Sequence, residues 1–152
     1  MASIDGAAFI LGPRVFGARK FGALWIEIDT GGVVVAANSN QNIVGIQDER
    51  IHVGELWNGG IRWTGGFDAR AGETPTAIRA SGERVVVTTS QAQRGLGLVP
   101  MRVHTSTNGG RTWKHAITED VTAAYKIDLY PNGSGVGVTW LGEIVNCVPR
   151  FQ

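Results

Sequence analysis

The residues best suited to bind a ligand lie around a short Asn-Gly-Gly segment. Trp57 precedes Asn58, and Arg62 follows four positions after that asparagine. An exposed indole beside an amide and a guanidinium can stack on a sugar ring or anchor a protein partner. Packing of Trp57 against a neighbouring element is an equally good interpretation. The sequence therefore offers Trp57, Asn58 and Arg62 as a candidate ligand-binding group.

Acidic residues and histidines offer other chemistry. Glu27 and Asp29 alternate onto one face of a strand, and paired carboxylates can serve glycoside hydrolysis, but such a strand is more typical of a solvated face. His52 and His104 fall at similar places in two strands, and His115 lies across the hairpin from His104, on the adjacent strand. A metal site there competes with the favoured interpretation of three ordinary strand histidines. We predict no catalytic residue, no metal site and no cofactor.

The elements that must position these residues are strands. Residues 23–30 alternate apolar and polar side chains, and residues 33–37 form a continuous apolar run that predicts a strand buried on both faces. Asn-Gly between the runs 51–57 and 61–63 is a strong hairpin signal, because both residues accept positive φ. Long windows with helical periodicity are missing, so the sequence predicts an all-β chain.

Several of these features recur at intervals of about 50 residues. Asn58 returns as Asn108, and Trp63 returns as Trp113. Three valine-containing runs begin at Val33, Val85 and Val136. An internal repeat of this length explains all three recurrences. The alternative is a single Greek-key sandwich, whose strands would resemble one another only in composition.

The repeat predicts one all-β domain, residues 1–152, with an N-terminal strand at 7–16 and units at about 23–67, 75–117 and 124–151. A four-stranded antiparallel unit of this size is typical of a β-propeller blade. We predict about three such blades that complete a ring by oligomerisation, with a single β-sandwich or barrel as the alternative. Because the third unit lacks its last strand, residues 7–16 are expected to pair with residues 144–151, either within the chain or across a subunit boundary.

One repeat carries a motif with a family resemblance. Residues 106–113 read S-T-N-G-G-R-T-W, which resembles the Asp-box of BNR repeats, with Asn108 in the aspartate position. The other matching positions are Ser106, Gly110, Thr112 and Trp113. The first unit keeps only Asn58, Gly60 and Trp63 of this pattern. The resemblance implies a structural hairpin at the periphery of a propeller blade.

Proteins with Asp-boxes include sialidases, other glycosidases, lectin-like propellers and assembly factors, so the resemblance specifies fold more than function. A sialidase needs an arginine triad in a six-bladed ring about twice this length, and the GPRVF stretch at Arg14 does not match the arginine motif of that family. We predict a non-enzymatic binding or assembly module, which binds glycans or serves as a structural or receptor-binding component of a phage virion. The alternative is a sialidase-like glycoside hydrolase fragment.

Charge and hydropathy exclude other partners. The net charge is +1 with no polybasic run, which argues against binding to nucleic acid or to an anionic membrane surface. Apolar runs are too short for a membrane span. No signal peptide is evident, so both a cytoplasmic and a virion location stay open. The expected partners are further copies of the chain, together with a glycan or other virion proteins.

Overall fold

The computed structural model describes residues 2–4, 7–10, 14–18, 25–39, 41–57, 60–91, 101–117, 124–130, 134–139, 144–147 and 150–151. All regular secondary structure in these residues is β-strand, and every strand pairing is antiparallel. The prediction of an all-β chain is confirmed.

The first fifteen strands of the described residues form four sheets, and within each sheet these strands lie side by side in chain order. The N-terminal sheet holds β1 (Ala2–Ile4), β2 (Ala7–Ile10), β3 (Val15–Ala18) and β4 (Ile26–Ile28). The second sheet holds β5 (Val34–Ser39), β6 (Asn42–Gln47), β7 (Arg50–Trp57) and β8 (Gly60–Asp68). The third holds β9 (Glu73–Ser81), β10 (Arg84–Gln91), β11 (Arg102–Ser106) and β12 (Lys114–Ile117). The fourth holds β13 (Ala124–Leu129), β14 (Gly135–Thr139) and β15 (Ile144–Cys147).

A last short strand, β16 (Arg150–Phe151), joins the third sheet beside β12. The predicted pairing of residues 7–16 with residues 144–151 is therefore wrong within the chain. β2 already has β1 on one side and β3 on the other, so both of its hydrogen-bonding edges are occupied. The N-terminal residues build a sheet of their own, and β4, which the sequence assigned to the first repeat, is part of it.

The valine run at residues 33–37 is also placed differently from the prediction. It begins the first strand of its sheet, β5, and only alternate side chains are buried: Val35 is 4% exposed but Val34 is 57% exposed. The buried second strand is β6, where Ile43 and Val44 are fully buried on opposite faces. Val85 lies in the second strand of the third sheet, so the two runs occupy different positions in their sheets.

The second sheet is covered on both faces. One apolar cluster joins it to the N-terminal sheet through Ile43 and Val15, and another joins it to the third sheet through Val44 and Val87. The first strands of successive sheets lie in contact, β1 with β5, β5 with β9, and β9 with β13. This face-to-face succession brings the β7–β8 and β11–β12 hairpins, which contain the Asn-Gly-Gly segments, close to one another.

Candidate functional site

The second Asn-Gly-Gly segment forms a turn held by its own side chains. The hydroxyl oxygen of Ser106 accepts hydrogen bonds from the backbone amides of Asn108 at 3.3 Å and Gly110 at 2.9 Å. The Asn108 side chain accepts the Thr112 amide at 2.9 Å and donates to the Thr112 hydroxyl at 2.8 Å. These are the contacts expected of an Asx residue and two hydroxyls that join the ends of β11 and β12.

The same turn is attached to the neighbouring sheet. Gly110 has a φ of 92°, which a residue with a Cβ rarely adopts, and its carbonyl oxygen accepts two hydrogen bonds. That oxygen accepts the indole N–H of Trp113 at 2.7 Å and the backbone N–H of Gly66 in β8 at 3.1 Å. A Cβ on Gly65 would overlap the same carbonyl, so the close approach of the two sheets requires glycine there.

The two repeated tryptophans lie on corresponding faces of their sheets. Trp63 is partly buried against the cluster shared with the N-terminal sheet, and Trp113 against the cluster shared with the second sheet. Each ring therefore faces the preceding sheet. Their hydrogen bonds differ, because the Trp63 indole donates to the Thr30 carbonyl at 3.2 Å, whereas that of Trp113 donates within its own turn.

Part of the predicted ligand-binding group lies outside the described residues. Asn58 is not described, and of Trp57 the structure gives the backbone, which pairs with Gly60 at the end of the β7–β8 hairpin. Arg62 is described: it stands opposite Glu55 across the hairpin and forms an ion pair with it. Its guanidinium is partly exposed, so the charge is accessible from solvent.

A groove of about 530 Å³ separates this hairpin from the second turn. One wall carries Glu55, Arg62, Trp63 and Thr64, and the other carries Gly82, Glu83, Asn108, Gly109 and Arg111. The groove thus brings Arg62 from one repeat beside Asn108 from the other, two residues that the sequence singled out for different reasons.

The ionic groups of the groove are paired. Besides Arg62 with Glu55, the guanidinium of Arg111 lies 3.6 Å from the Glu83 carboxylate and donates to the Asn108 carbonyl at 2.9 Å. Each wall therefore contributes one cation and one anion. Both pairs keep polar atoms at the groove, so this geometry suits hydrogen bonding to a ligand.

The carboxylates at residues 27 and 29 do not act as a pair. Arg14 binds Glu27 through two nitrogens, at 2.7 and 2.5 Å, and lowers the pKa of this exposed carboxyl. Asp29 accepts the backbone N–H of Gly31 at 2.9 Å in the turn that follows β4. Both side chains are exposed, as a solvated strand face predicts.

The histidines occupy unequal environments. His104 and His115 are direct partners across β11 and β12, as the sequence predicted, whereas His52 in β7 contacts the edge of Trp63. Among the described residues, no group of three or more His, Cys, Asp or Glu is arranged to hold a metal ion. The side chain of Cys147 lies outside the described set.

A buried polar cluster around His104 is the main feature that the sequence did not reveal. Its members come from four strands of the third sheet: Glu73, Thr89, Arg102, His104 and His115. Burial alone would raise the pKa of Glu73, but hydrogen bonds from its neighbours and the charge of Arg102 lower this pKa to about 2. Burial lowers the pKa of His104 to about 4, which leaves its imidazole neutral at neutral pH.

No protein-family model, no curated protein and no solved structure matches this chain. In the described part of the chain, no helix has the length and apolar character needed to cross a membrane.

Proposed function

We propose that this chain is a non-enzymatic carbohydrate-binding module and that the groove between the two hairpins is its binding site. The observation that carries the proposal is the lining of this groove, where one guanidinium–carboxylate pair on each wall lies beside Trp63 and Asn108. Sugar-binding sites place planar polar groups where they can bind sugar hydroxyls in pairs.

The charges of the groove favour neutral sugars. Arg62 and Arg111 are balanced by Glu55 and Glu83, so an anionic ligand would meet as much repulsion as attraction. A sugar hydroxyl both donates and accepts, and can therefore bridge the carboxylate and the guanidinium of one pair. Trp57 and Asn58 stay part of this proposal, because they lie between Glu55 and Arg62 in the sequence.

Within the same proposal, the four sheets are propeller-type blades and the turn at residues 106–113 is an Asp-box. Support comes from the side-chain hydrogen bonds of that turn and from the contact between successive first strands. It also comes from the second sheet, whose two faces are both covered, as blades of a ring require. The paired state of Glu55 and Glu83 favours binding over the alternative of glycoside hydrolysis.

Assembly with further copies, as in a virion component, is a second candidate function. It is favoured by large apolar side chains that are exposed on the first and last sheets, among them Ile26 at 57% and Ile144 at 77% exposure. Both lie on strands at the edge of their sheets, where another chain can add to the structure.

The proposal is tested by screening the chain against an array of neutral and acidic oligosaccharides, followed by calorimetric titration of the best binder. We expect Arg62→Ala to weaken binding about tenfold, since it removes a charged hydrogen-bond donor. Arg50→Ala is the matched control, because Arg50 pairs with Asp68 on the same hairpin outside the groove. Equal affinities of the two variants, or an array without a binder, would overturn the proposal.

A further inference from the structure

A continuous chain of hydrogen bonds runs through the third sheet from a buried carboxylate to an exposed imidazole. The Thr89 hydroxyl lies 2.5 Å from Oε1 of Glu73 and 2.8 Å from Nε2 of His104. Nδ1 of His104 lies 2.6 Å from Nδ1 of His115. Glu73, Thr89 and His104 are buried, whereas His115 is exposed.

Protons can be assigned along this chain from its buried end. Arg102 donates to both Glu73 oxygens, at 2.8 and 2.9 Å, and the Arg70 amide donates to Oε2 at 2.7 Å, so Glu73 is an ionised acceptor. Thr89 must therefore donate its single hydroxyl proton to Glu73. The Thr89 oxygen then accepts from His104, which places the His104 proton on Nε2.

The second half of the chain follows from the first. A neutral imidazole with its proton on Nε2 has a lone pair on Nδ1, so His104 accepts a hydrogen bond there. His115 must donate that bond from its own Nδ1. Its remaining nitrogen, Nε2, is then unprotonated, and no described residue donates a hydrogen bond to it.

We propose that this chain of hydrogen bonds makes Nε2 of His115 a nucleophilic site at the protein surface. The site accepts acyl groups from activated carbonyl compounds such as anhydrides. His115 is the reacting group, and Glu73, Thr89 and His104 are positioning residues that fix its tautomer. The site is separate from the proposed carbohydrate groove, whose lining does not include His115.

The surroundings of His115 keep its ring in place and uncharged. Phe67 of β8 contacts the ring at 5.5 Å between centroids and also stacks on His104 at 4.2 Å. Partial burial and the nearby charges of Arg102 and Arg70 lower the pKa of His115, while Glu73 opposes them. The free base is therefore the prevailing form at neutral pH, as nucleophilic attack requires.

The reaction balances with diethyl pyrocarbonate as the acyl donor. The Nε2 lone pair forms a bond to a carbonyl carbon, and the bond from that carbon to the bridging oxygen breaks, so ethyl carbonate leaves with the electron pair. The acylated ring of His115 is an imidazolium until it loses its Nδ1 proton to solvent, which leaves a neutral acyl imidazole. Ethyl carbonate takes up a proton and decomposes to ethanol and carbon dioxide.

The test treats the folded chain with diethyl pyrocarbonate at pH 7 and follows each histidine by peptide mass spectrometry. We expect His115 to react several times faster than His52, and Thr89→Val to lower the His115 rate towards that of His52. Thr88→Val is the matched control, because Thr88 is an equally buried neighbour. Its hydroxyl hydrogen-bonds to Thr76 and takes no part in the chain of hydrogen bonds from Glu73 to His115. A His115 rate equal to or below that of His52, or an unchanged rate in Thr89→Val, would overturn the proposal.

A second measurement does not depend on whether the variants fold. Long-range nitrogen–proton NMR correlations of the wild-type chain report which ring nitrogen carries the proton. The expected result is a proton on Nδ1 of His115 and on Nε2 of His104. A His115 protonated on Nε2 would leave no lone pair at the surface and would contradict the assignment.

Discussion

At the scale of single residues, His104 and Glu73 make the fold sensitive to acid. The folded-state pKa of His104, about 4, lies below its ordinary 6.5, so the unfolded chain binds more protons between these values. The free energy of unfolding should therefore fall as the pH drops from 6.5 to 4. Glu73, with its pKa lowered from 4.5 to about 2, extends this loss through that lower range.

The expected loss from His104 alone is on the order of 3 kcal/mol, the free energy equivalent of its pKa shift. Its physical cause is burial, which disfavours the charged imidazolium, and the second proton would also sit on Nδ1 and face the N–H of His115. Urea unfolding at several pH values measures the slope. His104→Gln should flatten the slope between pH 6.5 and 4, while His52→Gln should largely preserve it, and an equal effect of both variants would contradict the assignment.

The sequence identified His104 and His115 as neighbours but not their partners. Strand spacing predicts which residues face each other within one hairpin, and the β11–β12 register follows it. Glu73 and Thr89 come from β9 and β10, and only the order of strands in the sheet brings them to His104. The sequence feature that pointed to this cluster is the pair Thr88 and Thr89, which directly follows the apolar run 85–87. Both threonines are buried and polar, and buried polar groups need hydrogen-bond partners.

At the scale of elements, the contact between the second turn and β8 depends on one glycine. A side chain at Gly65 would overlap the Gly110 carbonyl, which is backbone and cannot rotate away. We expect Gly65→Ala to separate the turn from β8, to break the hydrogen bond from the Gly66 amide, and to destabilise the chain by roughly 2–4 kcal/mol. Thermal and urea unfolding measure the change.

Gly109→Ala is the matched comparison for that variant. Gly109 lies in the same turn with a φ of 71°, but a Cβ there would meet open space. Its substitution should cost about 1 kcal/mol of backbone strain and leave the sheet contact intact. A Gly65→Ala variant as stable as Gly109→Ala would show that the close approach contributes little to stability.

The sequence predicted strand positions where turn signals were strong and missed strands where these signals were weak. β6 was missed because its apolar run is interrupted by Gly45. This glycine allows β5 to approach, since a Cβ at position 45 would lie 2.6 Å from the Val34 carbonyl oxygen. The turn between β6 and β7 uses Asp48 and Glu49 at positive φ, 51° and 60°, which non-glycine residues adopt uncommonly.

At the scale of the whole molecule, the sheets differ in how well they are covered. The second sheet buries both faces against its neighbours. The first and last sheets expose large apolar side chains on edge strands, Ile26 in β4 and Ile144 in β15. Exposed apolar edges of this kind are uncommon in monomers and typical of interfaces.

We therefore expect the chain to associate with itself through these outer sheets, because a sheet in a stack buries its apolar surface only against a neighbour. Light scattering coupled to gel filtration at micromolar concentration should give a mass well above the 16.2 kDa of one chain. The double variant Ile26→Asp and Ile144→Asp should reduce that mass, since it places charge at both edges. Val34→Asp is the matched control, because Val34 is as exposed as Ile26 but belongs to the covered second sheet, and it should assemble like the wild type. A wild-type chain that stays monomeric under these conditions would show that the exposed edges are compatible with a self-contained fold.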